Sequence, residues 1–174
     1  MTNSRRLVYV SGAPGSGKTT LAVPLAAELG LPLFSKDRIK ETLHESLGAP
    51  EPDLAWSRRL GAAAMELLWV LAADAPAAMI EANFRPRSEY ERAKLSALAG
   101  GLVEVHCACP AELAVRRYNA RRTHPVHVIS TLDLAAMAEY DRPVGVGALV
   151  TVDTAVAVDV TAIAAAVRDR MAAP

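Results

Sequence analysis

A three-layer α/β/α sandwich around a five-stranded parallel sheet is the fold this sequence predicts, and three observations predict it. Five short apolar segments alternate with stretches of helical periodicity from one end of the chain to the other. The first of them runs into a complete G-x-x-x-x-G-K-[ST] motif, Gly12-Ala13-Pro14-Gly15-Ser16-Gly17-Lys18-Thr19, which opens the first helix. The side chains with chemistry to offer follow predicted strand ends or fall in one irregular segment, and strand ends are where parallel sheets bind ligands.

Each element has its own local reason. Leu7 to Val10 is short, apolar and rich in β-formers, so it reads as a buried strand. From Lys18 to Leu29 the apolar residues at 21, 25 and 29, with 22 and 26 beside them, make one helical face. Pro24 falls inside that helix and can kink it, and Gly30 ends it. Leu31 to Phe34 is the second strand. Ser35 can cap a helix to about Leu47, stopped by Gly48, and a loop follows to Pro52. A long helix covers Leu54 to Ala73, and Ala77 to Ile80 is the third strand. Ser88 and Glu91 form a capping box for a helix to about Ala99. Leu102 to Cys107 is the fourth strand, and Pro110 suits the first turn of a helix ending near Arg122. Thr123 to Ile129 breaks the pattern. Ser130 and Asp133 start another helix, Leu149 to Val152 is the fifth strand, and Asp159 caps the last helix. Strands separated by helices imply crossover connections and helices on both faces of the sheet.

A chain of 174 residues makes one domain and has no room for two well-formed cores, so 1–174 is read as a single unit. Lys+Arg and Asp+Glu both total 19, and this balance argues against non-specific nucleic-acid binding. The local cluster Arg116, Arg117, Arg121 and Arg122 is therefore read as phosphate contacts. Cys107 and Cys109, two residues apart, make a poor disulfide candidate and read as buried thiols in a reducing compartment. The apolar run at Leu7 is too short for a signal-peptide core or a membrane span, so the expectation is a cytoplasmic protein with no membrane partner.

The glycine-rich motif carries the most specific chemistry. Its glycines let backbone N–H groups turn inward around phosphate oxygens, and the helix N-terminus adds a positive dipole end. Lys18 reaches the β and γ phosphates, and Thr19 supplies a hydroxyl to Mg²⁺. Gly12 through Thr20 are thus expected to bind ATP with Mg²⁺. The guanine-reading N-K-x-D and the switch motif D-x-x-G are absent, and so is the space for an additional helical domain.

Two further features remain: the charged Ser35-Lys36-Asp37-Arg38 after the second strand, and the arginine-rich helix end leading into Arg116 to His127. With these the sequence resembles the small-molecule kinases of the phosphate-loop superfamily. The nearest likeness is to the "predicted kinase" group of AAA-like ATP-binding proteins. It is similar, more distantly, to chloramphenicol phosphotransferase, zeta-toxin kinases, gluconate kinase and adenylate kinase. The matching stretches are Val8 to Thr20, Phe34 to Leu43, Ile80 to Phe84, Arg116 to Pro125 and Val150 to Thr154. The resemblance implies an adenylate kinase-like fold with a short lid at about 117–130. It also implies transfer of the γ-phosphoryl group of ATP to a hydroxyl of a small molecule.

The resemblance also assigns roles. Asp37 would face the acceptor hydroxyl and take its proton; read on its own it is equally an acidic residue favoured in a first helical turn. Arg38 would hold an anionic or polar part of the acceptor, or be a solvated helix arginine. Glu81 ends an apolar strand as a Walker B acid does and would hold Mg²⁺ directly or through water. Asn83, Arg85 and Arg87 follow at the strand end, as acceptor contacts or as a polar loop. Arg117, Arg121 and Arg122 would close on the nucleotide's phosphates and exclude water; the bland alternative is an exposed basic helix end. His124 and His127 flank Pro125 and are expected in a solvated loop, with a lid-surface or acceptor contact as the alternative. The competing function is a regulatory switch that binds or slowly hydrolyses ATP with no small-molecule acceptor.

Overall fold

The structure is a computed structural model that describes residues 5–48, 52–98, 100–129 and 131–172. Five parallel strands form one sheet: β1 (Arg6–Ser11), β2 (Leu33–Ser35), β3 (Ala77–Glu81), β4 (Leu102–Ala108) and β5 (Ala148–Asp153), in the spatial order β2-β3-β1-β4-β5. The chain steps to one side of β1 to lay down β2 and β3, then to the other for β4 and β5. That reversal opens a crevice at the carboxyl end of β1, where the Gly12 motif begins.

Alternation along the strands divides the core into two layers. Val8 and Val10 face Leu21 and Leu25 of α1 (Lys18–Leu29) and Val167 of α7 (Val160–Ala172). Leu7 and Tyr9 face Leu68 and Trp69 of α3 (Leu54–Asp74) and Leu95 of α4 (Glu89–Ala97). The remaining helices are α2 (Lys36–Leu47), α5 (Ala111–Ala120) and the short α6 (Leu134–Met137), which continues into a 3₁₀ turn at Ala138–Tyr140. Helices cover both faces, so the predicted three-layer sandwich is the observed one. Pro24 leaves α1 continuous. It sits on the solvent side, as does Thr20, whose carbonyl it leaves without the usual helical partner.

Several local expectations are corrected. Ser35 stands at the N-cap of α2 but makes no side-chain cap, because its hydroxyl donates to Glu81 instead. Ser88 does cap Glu91 N at 3.3 Å, but the Glu91 carboxylate turns away from Ser88 to bind Arg85, so the capping box is half formed. Asp53, not foreseen as a cap, accepts from Trp56 N at the start of α3. The helix α4 ends at Ala97, and Ala99, Ser130 and the middle of the loop after Gly48 lie outside the described residues.

Glu104 is a carboxylate in the middle of β4 and is fully buried. Its Oε1 accepts from Ser11 Oγ and Val144 N, and its Oε2 accepts from Tyr9 O–H and Gly145 N. The group therefore pins the loop before β5 to the centre of the sheet. Glu104→Gln would turn an amide N–H₂ toward two donors and leave them unsatisfied. The expected loss is about 2–5 kcal/mol of stability, read as a lower urea midpoint with an unchanged m-value.

Candidate active site

The phosphate loop is shaped by three glycines. Gly12, Gly15 and Gly17 have φ of 135°, 79° and 89°, values that L side chains rarely adopt. Gly15 is the tightest: a Cβ there would lie 2.1 Å from the backbone oxygen of Ala114 in α5. Gly15→Ala must therefore displace either the loop or α5, and both carry groups of the site. The expected result is a fall of about a hundredfold in kcat/KM for ATP, checked by steady-state ATP turnover.

A cleft of ≈ 240 Å³ opens at the loop, lined by Lys18, Thr19, Asp37, Glu81, Asn83, Arg117 and Arg121, together with Gly15, Gly17 and Thr20. Lys18 is 5% exposed, and its ammonium donates to Ala13 O at 2.8 Å, which keeps it at the mouth of the loop. Burial pushes its pKa below the ordinary lysine value, and the Glu81 carboxylate pulls against that shift. Glu81 is itself held from two sides, by Ser35 Oγ at 2.7 Å and Thr19 Oγ1 at 3.3 Å. One hydroxyl and one carboxylate side by side are hard oxygen ligands. They suit Mg²⁺ completed by phosphate and water better than an all-protein cage, and no cluster of three or more metal-ligating His, Cys, Asp or Glu exists among the described residues.

Asp37 stands in the first turn of α2, beside Lys36 Nζ at 3.1 Å. Burial pushes its carboxyl up, but Lys36, His127 and Lys18 together outweigh that, so it titrates below the usual carboxylate value. Arg117 approaches from α5 and Arg121 from the residue that ends it. Arg117 donates to Thr154 O at 2.9 Å, while Arg121 lies 4.2 Å over the Tyr118 ring.

A second cleft, of ≈ 410 Å³, adjoins the first and shares Thr19, Asp37 and Arg121 with it. Its other walls are Ser35, Arg38 and Glu41 on one side and Arg122 to His124 with His127 on the other. The histidines are not solvated loop residues, as the sequence suggested. His127 Nε2 lies 2.8 Å from Glu41, and Val126 is fully buried with its carbonyl bonded by Ser57 Oγ, which Lys40 bonds in turn. His124 packs edge-on against His44. The irregular segment is thus fastened over α2 and α3 and walls the second cleft.

The structure gathers most of the sequence-predicted residues and sets others apart. Gly12 to Thr20, Asp37, Glu81, Asn83, Arg117 and Arg121 meet at the first cleft or form its loop. Arg122, expected at the nucleotide, lies on the second cleft instead, beside the expected acceptor contact Arg38. Arg85 and Arg87 line neither. Arg85 donates from Nε and a terminal nitrogen to one oxygen of buried Glu91 and lies 4.0 Å from Glu139, and Arg87 binds Asp141 at 2.8 Å and the carbonyl of Ala138, so both fasten the 138–141 turn. Ser35, expected only as a cap, is the last residue of β2, level with Glu81 in the sheet register, and so lies at the site; its place at a strand end leading into Lys36-Asp37-Arg38 is the signal in the sequence.

A phosphate cradle at the switch point of a 2-3-1-4-5 parallel sheet, with arginines descending on it from the helix after β4, defines the class: this is a P-loop kinase fold of the adenylate and shikimate kinase type. The chain belongs to the AAA_33 family of AAA domains, whose model matches residues 7–143. A crystal structure from Chloroflexus aurantiacus, of a protein named provisionally as a kinase, is 30% identical. It covers 96% of this chain and 98% of its own, with a TM-score of 0.80. A sugar kinase from Janibacter sp. HTCC2649 is 22% identical over 96% of this chain and 94% of its own, with a TM-score of 0.60. A shikimate kinase from Acinetobacter baumannii, solved with shikimate, is 17% identical over 96% and 93%, with a TM-score of 0.57; these last two share the fold. A search of curated proteins by sequence finds no match. No described helix is long and apolar enough to cross a membrane.

Proposed function

We propose that this protein transfers the γ-phosphoryl group of ATP to a hydroxyl of a small molecule, and that the molecule also carries an anionic group. The observation that carries this reading is the meeting of two clefts at Asp37: one lined by the phosphate loop, the other by polar side chains with no part in it. A nucleotide switch needs the first cleft and has no use for the second.

The roles follow from position. The loop N–H groups, Lys18, Arg117 and Arg121 hold the triphosphate and spread positive charge around the transferring group. Thr19 and Glu81 would hold Mg²⁺, which supplies charge neutralisation on the phosphates. Ser35 fixes the Glu81 carboxylate. Asp37, kept ionised by Lys36 and His127, orients the acceptor hydroxyl and takes its proton. The segment from Arg122 to His127 encloses the acceptor and limits the access of water. Arg38 and Arg122 have no acidic partner within salt-bridge distance among the described residues, whereas Glu41 is paired with His127. Two unpaired guanidiniums favour a carboxylate or phosphate on the acceptor.

The test is ATP turnover with Mg²⁺ against matched pairs of hydroxylated compounds, one of each pair bearing a carboxylate or phosphate. Stimulation by anionic members, with KM raised about tenfold or more by Arg122→Gln, supports the reading. No stimulation by any acceptor would return the regulatory switch as the better account.

A further inference from the structure

Behind the phosphate loop, on the side of β4 and α6, lies a third cavity, of ≈ 310 Å³, which shares no lining residue with the other two. Its walls mix apolar residues, Ala13, Ala111, Leu134 and Met137 among them, with the polar His106, Tyr140 and Asp141, and its roof is the 138–141 turn that Arg85 and Arg87 fasten. The volume is at the lower end of small-molecule pockets and equals roughly ten waters at ~30 Å³ each.

One residue on its wall has a ring nitrogen with no hydrogen-bond partner among the described residues. His106, 7% exposed, lines the cavity, and its Nδ1 lies 2.9 Å from Ser11 Oγ. The direction of that bond is set from within the core. Glu104 receives backbone N–H groups from Val144 and Gly145 and acts as an acceptor, so the single Ser11 proton goes to it, at 2.5 Å. Ser11 then accepts from His106, whose Nδ1 carries the proton. In the neutral ring Nε2 is left as an acceptor, and it has no hydrogen-bond partner among the described residues. Burial pushes the His106 pKa below its ordinary value, which favours the neutral form. Tyr140, also on the wall, has its phenol pushed up to about 12 by burial and stays protonated. The charged group on the wall, Asp141, is already neutralised by Arg87.

We infer that this cavity is a second binding site, taking a small neutral molecule with an apolar body and one hydroxyl or ring N–H, which donates to His106 Nε2. An unpaired anion or cation would find no counter-charge there. The site touches the phosphate loop from behind through Ala13, whose carbonyl holds Lys18 Nζ on the other side. Occupancy and nucleotide affinity are therefore coupled, and by the same factor in each direction.

The test uses p-cresol as the probe and the full-length protein labelled with ¹⁵N. The imidazole resonances of His106, assigned by their loss in His106→Gln, and the Ala13 amide are followed through the titration. The expected result is a saturable shift of His106 Nε2 and of Ala13. Ala111→Leu and Ala138→Leu each narrow the cavity without touching the nucleotide cleft. Each is expected to weaken the probe about tenfold or more while still binding ATP. No saturable shift up to the solubility limit of the probe would overturn the inference, the cavity then holding water alone. So would a shift of equal affinity in both narrowed variants, since the probe would then sit elsewhere.

Discussion

Lys18→Ala is expected to lower ATP turnover on the order of 10³-fold or more, the scale on which enzymes lose rate when a positioned charge is taken from a transition state. The reason lies in where the ammonium sits. It is almost entirely buried, tethered to Ala13 O, and close to Glu81, which with Asp37 supplies the carboxylates of the first cleft among the described residues. Buried charge acts strongly on a neighbouring phosphate because little water screens it. Arginine is no substitute, since its longer planar fork does not fit a pocket shaped for a compact ammonium, so Lys18→Arg is expected to fail as well. The same burial predicts that stability does not follow activity. The folded-state pKa of Lys18 is lowered, so holding it charged opposes folding at neutral pH, and removing it relieves that cost. Thermal unfolding of Lys18→Ala is expected at the wild-type temperature or above it. A large drop in Tm alongside the lost activity would mean that the lysine supports the loop structurally.

Asp37→Asn is expected to lower acceptor-dependent turnover by about 10²–10⁴-fold, the usual contribution of a positioned general base, the role proposed for Asp37, and to leave ATP binding intact. The asparagine keeps the shape and loses only the ability to take a proton. The pH dependence of the wild-type enzyme follows from the direction of the shift. A carboxyl whose folded pKa is depressed stays ionised until the pH falls through that lowered value, so the acid limb of kcat/KM lies below the ordinary carboxylate range. The linked stability has the same sign: present above the unfolded carboxylate value and lost as pH falls through the folded one. Substituting Lys36, which bonds Asp37 and lowers its pKa, moves that limb upward.

What the sequence disclosed and what it hid divide along contact range. The phosphate loop, the strand-end position of Glu81 and the place of Asp37 depend on neighbours a few residues away, and all were legible. Pairings across the chain were not. His127 finds Glu41, 86 residues away, and Arg87 finds Asp141, 54 away, so one looked like solvated loop and the other like an acceptor contact. Arg85 misled for a different reason: Glu91 is close in sequence, but only the turn between them shows that its carboxylate swings back to the guanidinium instead of completing a helix cap. Ser35 was drawn to Glu81 against its local preference for capping, a tertiary contact outweighing a helix-end propensity. Glu104 did leave a trace. A carboxylate in phase with the buried face of an apolar strand requires several donors, and that alone could have prompted a search for the loop that supplies them.

The most direct test of the meeting of the two clefts at Asp37 is the fate of a labelled γ-phosphate. ATP carrying the label is incubated with Mg²⁺, an anionic hydroxylated acceptor that stimulates turnover, and either wild type or Asp37→Asn, and the label is then located by mass spectrometry. Wild type is expected to place the label on the acceptor hydroxyl, and Asp37→Asn to give only slow release of inorganic phosphate at unchanged ATP affinity. Label found only in inorganic phosphate with wild type, or transfer undiminished in Asp37→Asn, would contradict this reading.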